Sequence, residues 1–141
     1  MAEEREEDFT WRCLPWSELD RNTLYALLRL RSEVFVVEQD CAYQDLDDKD
    51  EQSLHCWLER SAAPAAKGGQ VLAYTRLLPA GVSYKGKVSI GRVVTAMDVR
   101  RGGWGKALMR RSLDEVHAAW PGVPIRISAQ QYLEAFYSDF A

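Results

Sequence analysis

The sequence predicts an α/β protein with a central mixed sheet flanked by helices. Three observations lead there. Short β-branched and aromatic runs fill the first two thirds of the chain, and a strand–helix–strand–helix order follows. The late strand–helix–strand unit requires a parallel crossover. Length sets the scale: 141 residues make one domain, long enough to bury about 68% of the unfolded chain's surface.

The acidic head, residues 1–8, reads as a flexible tail, leaving 9–141 as the single domain. Residues 9–13 read as a short strand. Asp20 or Asn22 caps a helix from about Thr23, whose inward face carries Leu24, Leu27, Leu28, Arg31 and Phe35. That helix is expected to end in the β-branched run Val34-Phe35-Val36-Val37. Residues 39–52 form a polar loop, 54–59 and 71–78 are strands joined through a linker at 61–69, and 81–87 is a turn. Residues 88–97, rich in Val, Ile and Thr, read as a buried strand. A strong amphipathic helix follows, with Leu108, Met109, Ser112, Leu113, Val116 and Trp120 inward, and Pro121-Gly122 ends it. Residues 125–129 form a short strand and 131–140 a last helix.

Composition removes several classes. The chain is 47% apolar and 28% charged, ordinary for a folded soluble protein. Its longest apolar run, Leu24 to Leu28, is far too short to span a bilayer, and no signal or transit peptide is visible. Three cysteines, Cys13, Cys41 and Cys56, make an odd count without C-x-x-C spacing. That argues against a disulfide framework or zinc site and points to a reducing cytoplasm. Five tryptophans without exposed basic runs do not suggest nucleic acid.

The sharpest local signal is Arg100-x-x-Gly103-x-Gly105 between the Val-rich strand and the amphipathic helix. Glycine allows a turn with positive φ and lets a ligand approach the backbone. The N–H groups opening a helix, with its dipole, make an anion site. Arg100, Arg101, Lys106, Arg110 and Arg111 gather there, with no acid between Asp98 and Asp114, in a protein of net charge −3. This suits a polyphosphate; a solvated basic helix face after a glycine turn is the other reading. A Walker A loop is excluded because no G-K-[ST] follows, and the dinucleotide G-x-G-x-x-G order is absent.

Residues 38–51 hold seven carboxylates against Lys49 alone. Two readings stand: a field drawing a cationic amine to a nearby cleft, or a solvated surface loop. A calcium loop fails for want of the turn glycine and the closing Glu, so a metal-binding module is a weak alternative.

The glycine loop in this setting resembles the acetyl-CoA motif of the GNAT N-acetyltransferase superfamily. The likeness extends to its ElaA-like subfamily through the ordered segments Leu24 to Arg31, Val34 to Gln39, Tyr43-Gln44-Asp45-x-Asp47, Ile90 to Val94, Ser128-Ala129-Gln130 and Phe136-Tyr137. The resemblance implies a GNAT fold binding acetyl-CoA as co-substrate, with no metal. Pyrophosphate would sit on the amides of Arg101, Gly102, Gly103, Trp104, Gly105 and Lys106, beside Arg100. The pantetheine arm would pair with Val93, Val94 and Thr95 in a slot between strands 88–97 and 125–130. An amine would attack the thioester directly, with Tyr137 protonating the leaving thiolate. Many relatives place a carboxylate base on the fourth strand, where this sequence has Arg92. Glu38 and His55 are the candidate bases, each set against a structural role.

By the same comparison the chain stops before two closing strands. Strand 125–129 would then be an open edge inviting a homodimer. A catalytically idle domain that binds CoA or a protein partner is accordingly the alternative to an active enzyme.

Overall fold

The computed structural model describes residues 9–60, 70–96 and 103–127. The elements within them are β1 (Phe9–Pro15), α1 (Arg21–Ser32), a π-helical extension (Glu33–Glu38), β2 (Leu54–Arg60), β3 (Val71–Leu78), β4 (Val88–Thr95), α2 (Trp104–Ala119) and β5 (Ile125–Ile127). The sheet order is β1-β2-β3-β4-β5. The first four strands run antiparallel in sequence, and β5 lies parallel to β4. The mixed sheet and its late crossover through α2 are therefore as expected. Residues 1–8, 61–69 and 131–140, assigned above to tail, linker and last helix, fall outside the described residues.

The N-cap is Asp20, whose Oδ1 accepts from the Thr23 amide at 2.8 Å, so the helix begins two residues earlier than expected. Its buried stripe is Thr23, Ala26, Leu27, Leu30 and Arg31; Leu24 and Leu28, placed inward by periodicity, are only half-buried. The β-branched run does not stop the helix. It widens it: the Gln39 amide donates to the Val34 carbonyl at 3.2 Å and the Cys41 amide to that of Val36 at 3.1 Å. The added residue per turn rotates the face, so the neighbours Val34 and Phe35 are both buried.

Strand β3 is buried along its whole length, because α1 covers one face of the sheet and α2 the other. On the α1 face, Leu27, Leu30, Val34 and Phe35 pack with Trp57, Tyr74 and Val94. On the α2 face, Met109 and Val116 pack with Cys56, Leu77, Val88 and Ile90. The Ser112 hydroxyl donates to the Leu108 carbonyl at 2.7 Å, so the 2.7 Å contact with Thr75 is a bond that Thr75 donates.

One irregularity positions the site. Tyr74 pairs with Val94 and Arg76 with Gly91, so Arg92 and Val93 together oppose the single residue Thr75. This bulge holds Arg92 at φ +52°, left-handed backbone that a side chain disfavours. Strand β5 meets only the start of β4, pairing Ile125, Arg126 and Ile127 with Val88, Ser89 and Ile90. The far half of the expected slot, at residues 128–130, lies outside the described residues.

Candidate active site

The end of β4 leads toward α2 through residues 97–102, so Arg100, Arg101 and Gly102 lie outside the described residues. The chain returns at Gly103, which caps α2 with φ +80° and no side-chain hydrogen bond. Among the described residues, nothing stands within 4 Å of the place a Cβ would occupy. The glycine is thus required by backbone shape and not by crowding. The helix closes its first turn with the Ala107 amide on the Gly103 carbonyl, 3.2 Å. Trp104 anchors that turn to the sheet edge, its ring 5.0 Å from Phe9 and 6.4 Å from Trp11. Gly105 is half-buried and Lys106 exposed.

Of the β4 residues, Val93 faces the α2 side and Val94 the α1 side. Both side chains serve the core, which leaves the main chain as the feature a ligand would meet there. Ala96 continues the ladder, its amide donating to the Leu72 carbonyl at 2.8 Å. It also lines a cavity of about 530 Å³. The opposite wall is the outer half of α1 and its π-helical extension, with an apolar floor at Leu30 and Val34 and carboxylates at Glu33 and Glu38. Glu33 is held by Arg29 at 3.8 Å. Glu38, exposed at the end of the π-helical turn, stands on this cavity.

His55 does not. It is 1% exposed on β2, with Nε2 2.9 Å from the Asp50 carbonyl and Nδ1 2.7 Å from the Tyr74 hydroxyl. A carbonyl only accepts, so Nε2 carries the proton and Nδ1 accepts from Tyr74. Burial, reinforced by Arg31 and Arg76, pushes the ring below the usual histidine range. Of the two readings given for His55, candidate base and structural residue, the geometry fits the structural one: both ring nitrogens are occupied inside the core.

The acidic loop divides: Glu38, Asp40, Asp48 and Glu51 are exposed, as the solvated reading expects, whereas Asp45, Asp47 and Asp50 are drawn into the fold. Asp45 and Asp50 are buried, and three arginines meet this segment, Arg31 from α1, Arg76 from β3 and Arg92 from β4. Arg31 donates from Nε to Asp45 at 2.9 Å and from Nη1 to Asp50 at 2.7 Å. Arg76 grips Asp47 with two bonds of 2.7 Å and reaches Asp50 at 3.1 Å. Arg92, presented by the bulge, donates to Asp45 at 2.8 Å and Asp47 at 3.2 Å. Burial opposes the Asp47 charge, yet the Arg76 fork holds its carboxyl down at about 2. Three charges of each sign cancel, so these aspartates neither stand in solvent nor add a net field for an amine. They lock the loop onto the sheet. Arg92 is thus a member of this lock. Tyr43 completes it, stacked under Arg92 at 5.3 Å and donating to Asp45 at 3.0 Å.

Sequence reasoning missed the cluster, although one signal pointed to it. Arg31 falls on the apolar face of α1, and a charge there demands partners.

Comparison with solved structures fits this architecture. An acyl-CoA N-acyltransferase from Pseudomonas aeruginosa superposes with a TM-score of 0.83 at 41% identity, covering 94% of this chain and 86% of that one. Escherichia coli ElaA superposes with a TM-score of 0.84 at 36% identity and the same coverage. The fold is that of the acyl-CoA N-acyltransferases. In sequence, residues 15–140 match the Acetyltransferase (GNAT) family. Protein ElaA of Escherichia coli is 37% identical over 134 residues, 92% of this chain and 81% of ElaA. The chain belongs to the GNAT family and is ElaA-like. Among the described residues, no helix is long and apolar enough to cross a membrane.

Proposed function

We propose that this protein transfers an acetyl group from acetyl-CoA to an amine by direct attack. The observation that carries the reading is Gly103: a left-handed, side-chain-free opening of α2, following β4, in a chain whose family performs acyl transfer. Such a helix start suits pyrophosphate, with Arg100, Arg101 and Lys106 supplying charge and the amides of Gly102 to Gly105 supplying donors. The pantetheine arm would pair with the main chain of Val93 to Thr95.

In the reaction the neutral amine nitrogen attacks the thioester carbonyl carbon and the C–S bond breaks. Glu38, on the cavity beside the end of β4, takes the proton that the amine loses. Tyr137, outside the described residues, protonates the departing thiolate. His55 we assign to the structural cluster and not to catalysis.

Calorimetric titration with acetyl-CoA and CoA, then a thiol-release assay over a panel of primary amines, tests this. Micromolar binding followed by turnover on at least one amine is expected. A folded sample that binds neither nucleotide overturns the proposal, and binding without turnover on any amine establishes the idle domain. Tyr137→Phe should spare binding and slow transfer, whereas Glu38→Gln should lower kcat by about a hundredfold with acetyl-CoA affinity unchanged.

A further inference from the structure

We propose that Cys13 and Cys56 form a reversible disulfide across β1 and β2, making the pair an oxidation site built into the sheet. Spacing in the sequence argues against bridging; register argues for it. The two residues are direct partners on antiparallel strands. Directly opposed residues have Cα atoms about 4.5 or 5.5 Å apart, depending on the hydrogen-bonding class of the pair. Both values fall inside the roughly 4.4–6.8 Å that a disulfide spans. The side chains also point the same way, both packing in the cluster under α2 with Met109 and Val116. Both are free cysteines in the resting protein.

Exposure assigns the roles. Cys13 sits on the outer strand and is partly exposed, while Cys56 is fully buried behind it. Hydrogen peroxide therefore meets Cys13 first. Its sulfur, as thiolate, attacks the peroxide and the O–O bond breaks, giving a sulfenic acid and one water. The Cys56 sulfur then attacks the Cys13 sulfur. The S–S bond forms, the S–O bond breaks, and a second water leaves carrying the remaining thiol proton. Two thiols lose two electrons in all, and the peroxide gains them.

The surroundings hold this step back. The neighbouring Cys56, burial and the negative Glu115 on α2 push the Cys13 thiol up, while Cys13 in turn lowers the buried Cys56. Glu115 is itself tied to Arg111 at 3.2 Å. The site is thus a thiol pair under reducing conditions and closes only under oxidant load. The bridge would staple the outer strand β1, on which Trp104 rests through Phe9 and Trp11. It therefore bears on the strand that supports the first turn of α2.

The test treats the full chain with hydrogen peroxide under native conditions, alkylates remaining thiols in denaturant and maps tryptic peptides. The expected product is a chain lighter by two hydrogens, with peptide 13–21 joined to peptide 50–60 and released by dithiothreitol. Cys41 lies on a separate peptide, 32–49, and Cys41→Ser should leave the bridge intact; the wild-type map gives the same readout if that variant fails to fold. Glu115→Gln should speed bridge formation severalfold. The proposal is overturned if Cys13 and Cys56 remain alkylatable at peroxide doses that fully oxidise Cys41. It is equally overturned if Cys13 passes to the sulfinic acid without a linked peptide.

Discussion

Arg31 and Asp50 meet at 2.7 Å with the arginine side chain wholly enclosed. A guanidinium in that position is tolerable only with every partner in place, since isolating either charge in the interior is far costlier than the pair is worth. Arg31→Met should cost about 3 kcal/mol in urea unfolding at neutral pH, because Asp45 and Asp50 lose a shared counter-ion at once. Arg31→Lys restores a charge without the fork and should recover only part of that loss. A loss below about 1 kcal/mol for the Met variant would mean that Arg76 and Arg92 alone satisfy the loop.

The neutral His55 ring couples the same cluster to pH. Its folded-state pKa lies below the unfolded value of 6.5. Below that value the unfolded chain takes up a proton that the folded chain refuses, so stability rises with pH there. The contribution is fully present above about pH 6.5 and is lost as pH falls through the depressed folded pKa. Asp47, lowered from 3.8 to about 2, acts in a separate window, its contribution fading as pH drops across that interval. Gln at position 55 keeps one acceptor for Tyr74 and one donor for the Asp50 carbonyl. His55→Gln should therefore flatten unfolding free energy against pH below about 6.5. An unchanged slope would place the titration elsewhere.

These two cases lie where residue order alone stops short. Periodicity and β-branching are local, so α2, the strands β3 and β4 and the parallel crossover were all legible from residue order. The glycine loop was legible because backbone chemistry restricts which residue can stand at Gly103. The Arg–Asp cluster and the Cys13–Cys56 pairing depend on which strands become neighbours and in what register. A one-residue shift in that register would send every side chain to the opposite face. The bulge at Arg92 and Val93 is such a shift, and nothing at that point in the sequence announces it.

The link between β3 and α2 makes an asymmetric prediction. Thr75 donates to Ser112, and Ser112 donates to the Leu108 carbonyl. Thr75→Val keeps shape and leaves the Ser112 donor satisfied, so it should cost about 1 kcal/mol. Ser112→Ala leaves a fully buried threonine hydroxyl without its acceptor and should cost more, about 2 kcal/mol. The double variant should lose less than the sum, since no orphan donor remains. Equal single costs that add in the double variant would show that Thr75 finds another acceptor.

Gly103 separates backbone shape from steric room. A Cβ there would touch none of the described residues, yet φ is +80°, where L residues other than glycine are strained. Gly103→Ala should therefore fold, with a stability loss of about 1 kcal/mol read by urea denaturation. If the left-handed turn aims the amides of the first helical turn at pyrophosphate, strain relaxed by turning the loop will misdirect them. Acetyl-CoA affinity should then fall about tenfold by calorimetry, a loss close to 1.4 kcal/mol. Gly105→Ala, inside the helix at φ that any residue adopts, provides the contrast. It raises helix propensity, and any loss of affinity it causes reports crowding by the new methyl group. Wild-type affinity in Gly103→Ala, with the stability loss present, would show that the ligand does not depend on the glycine turn.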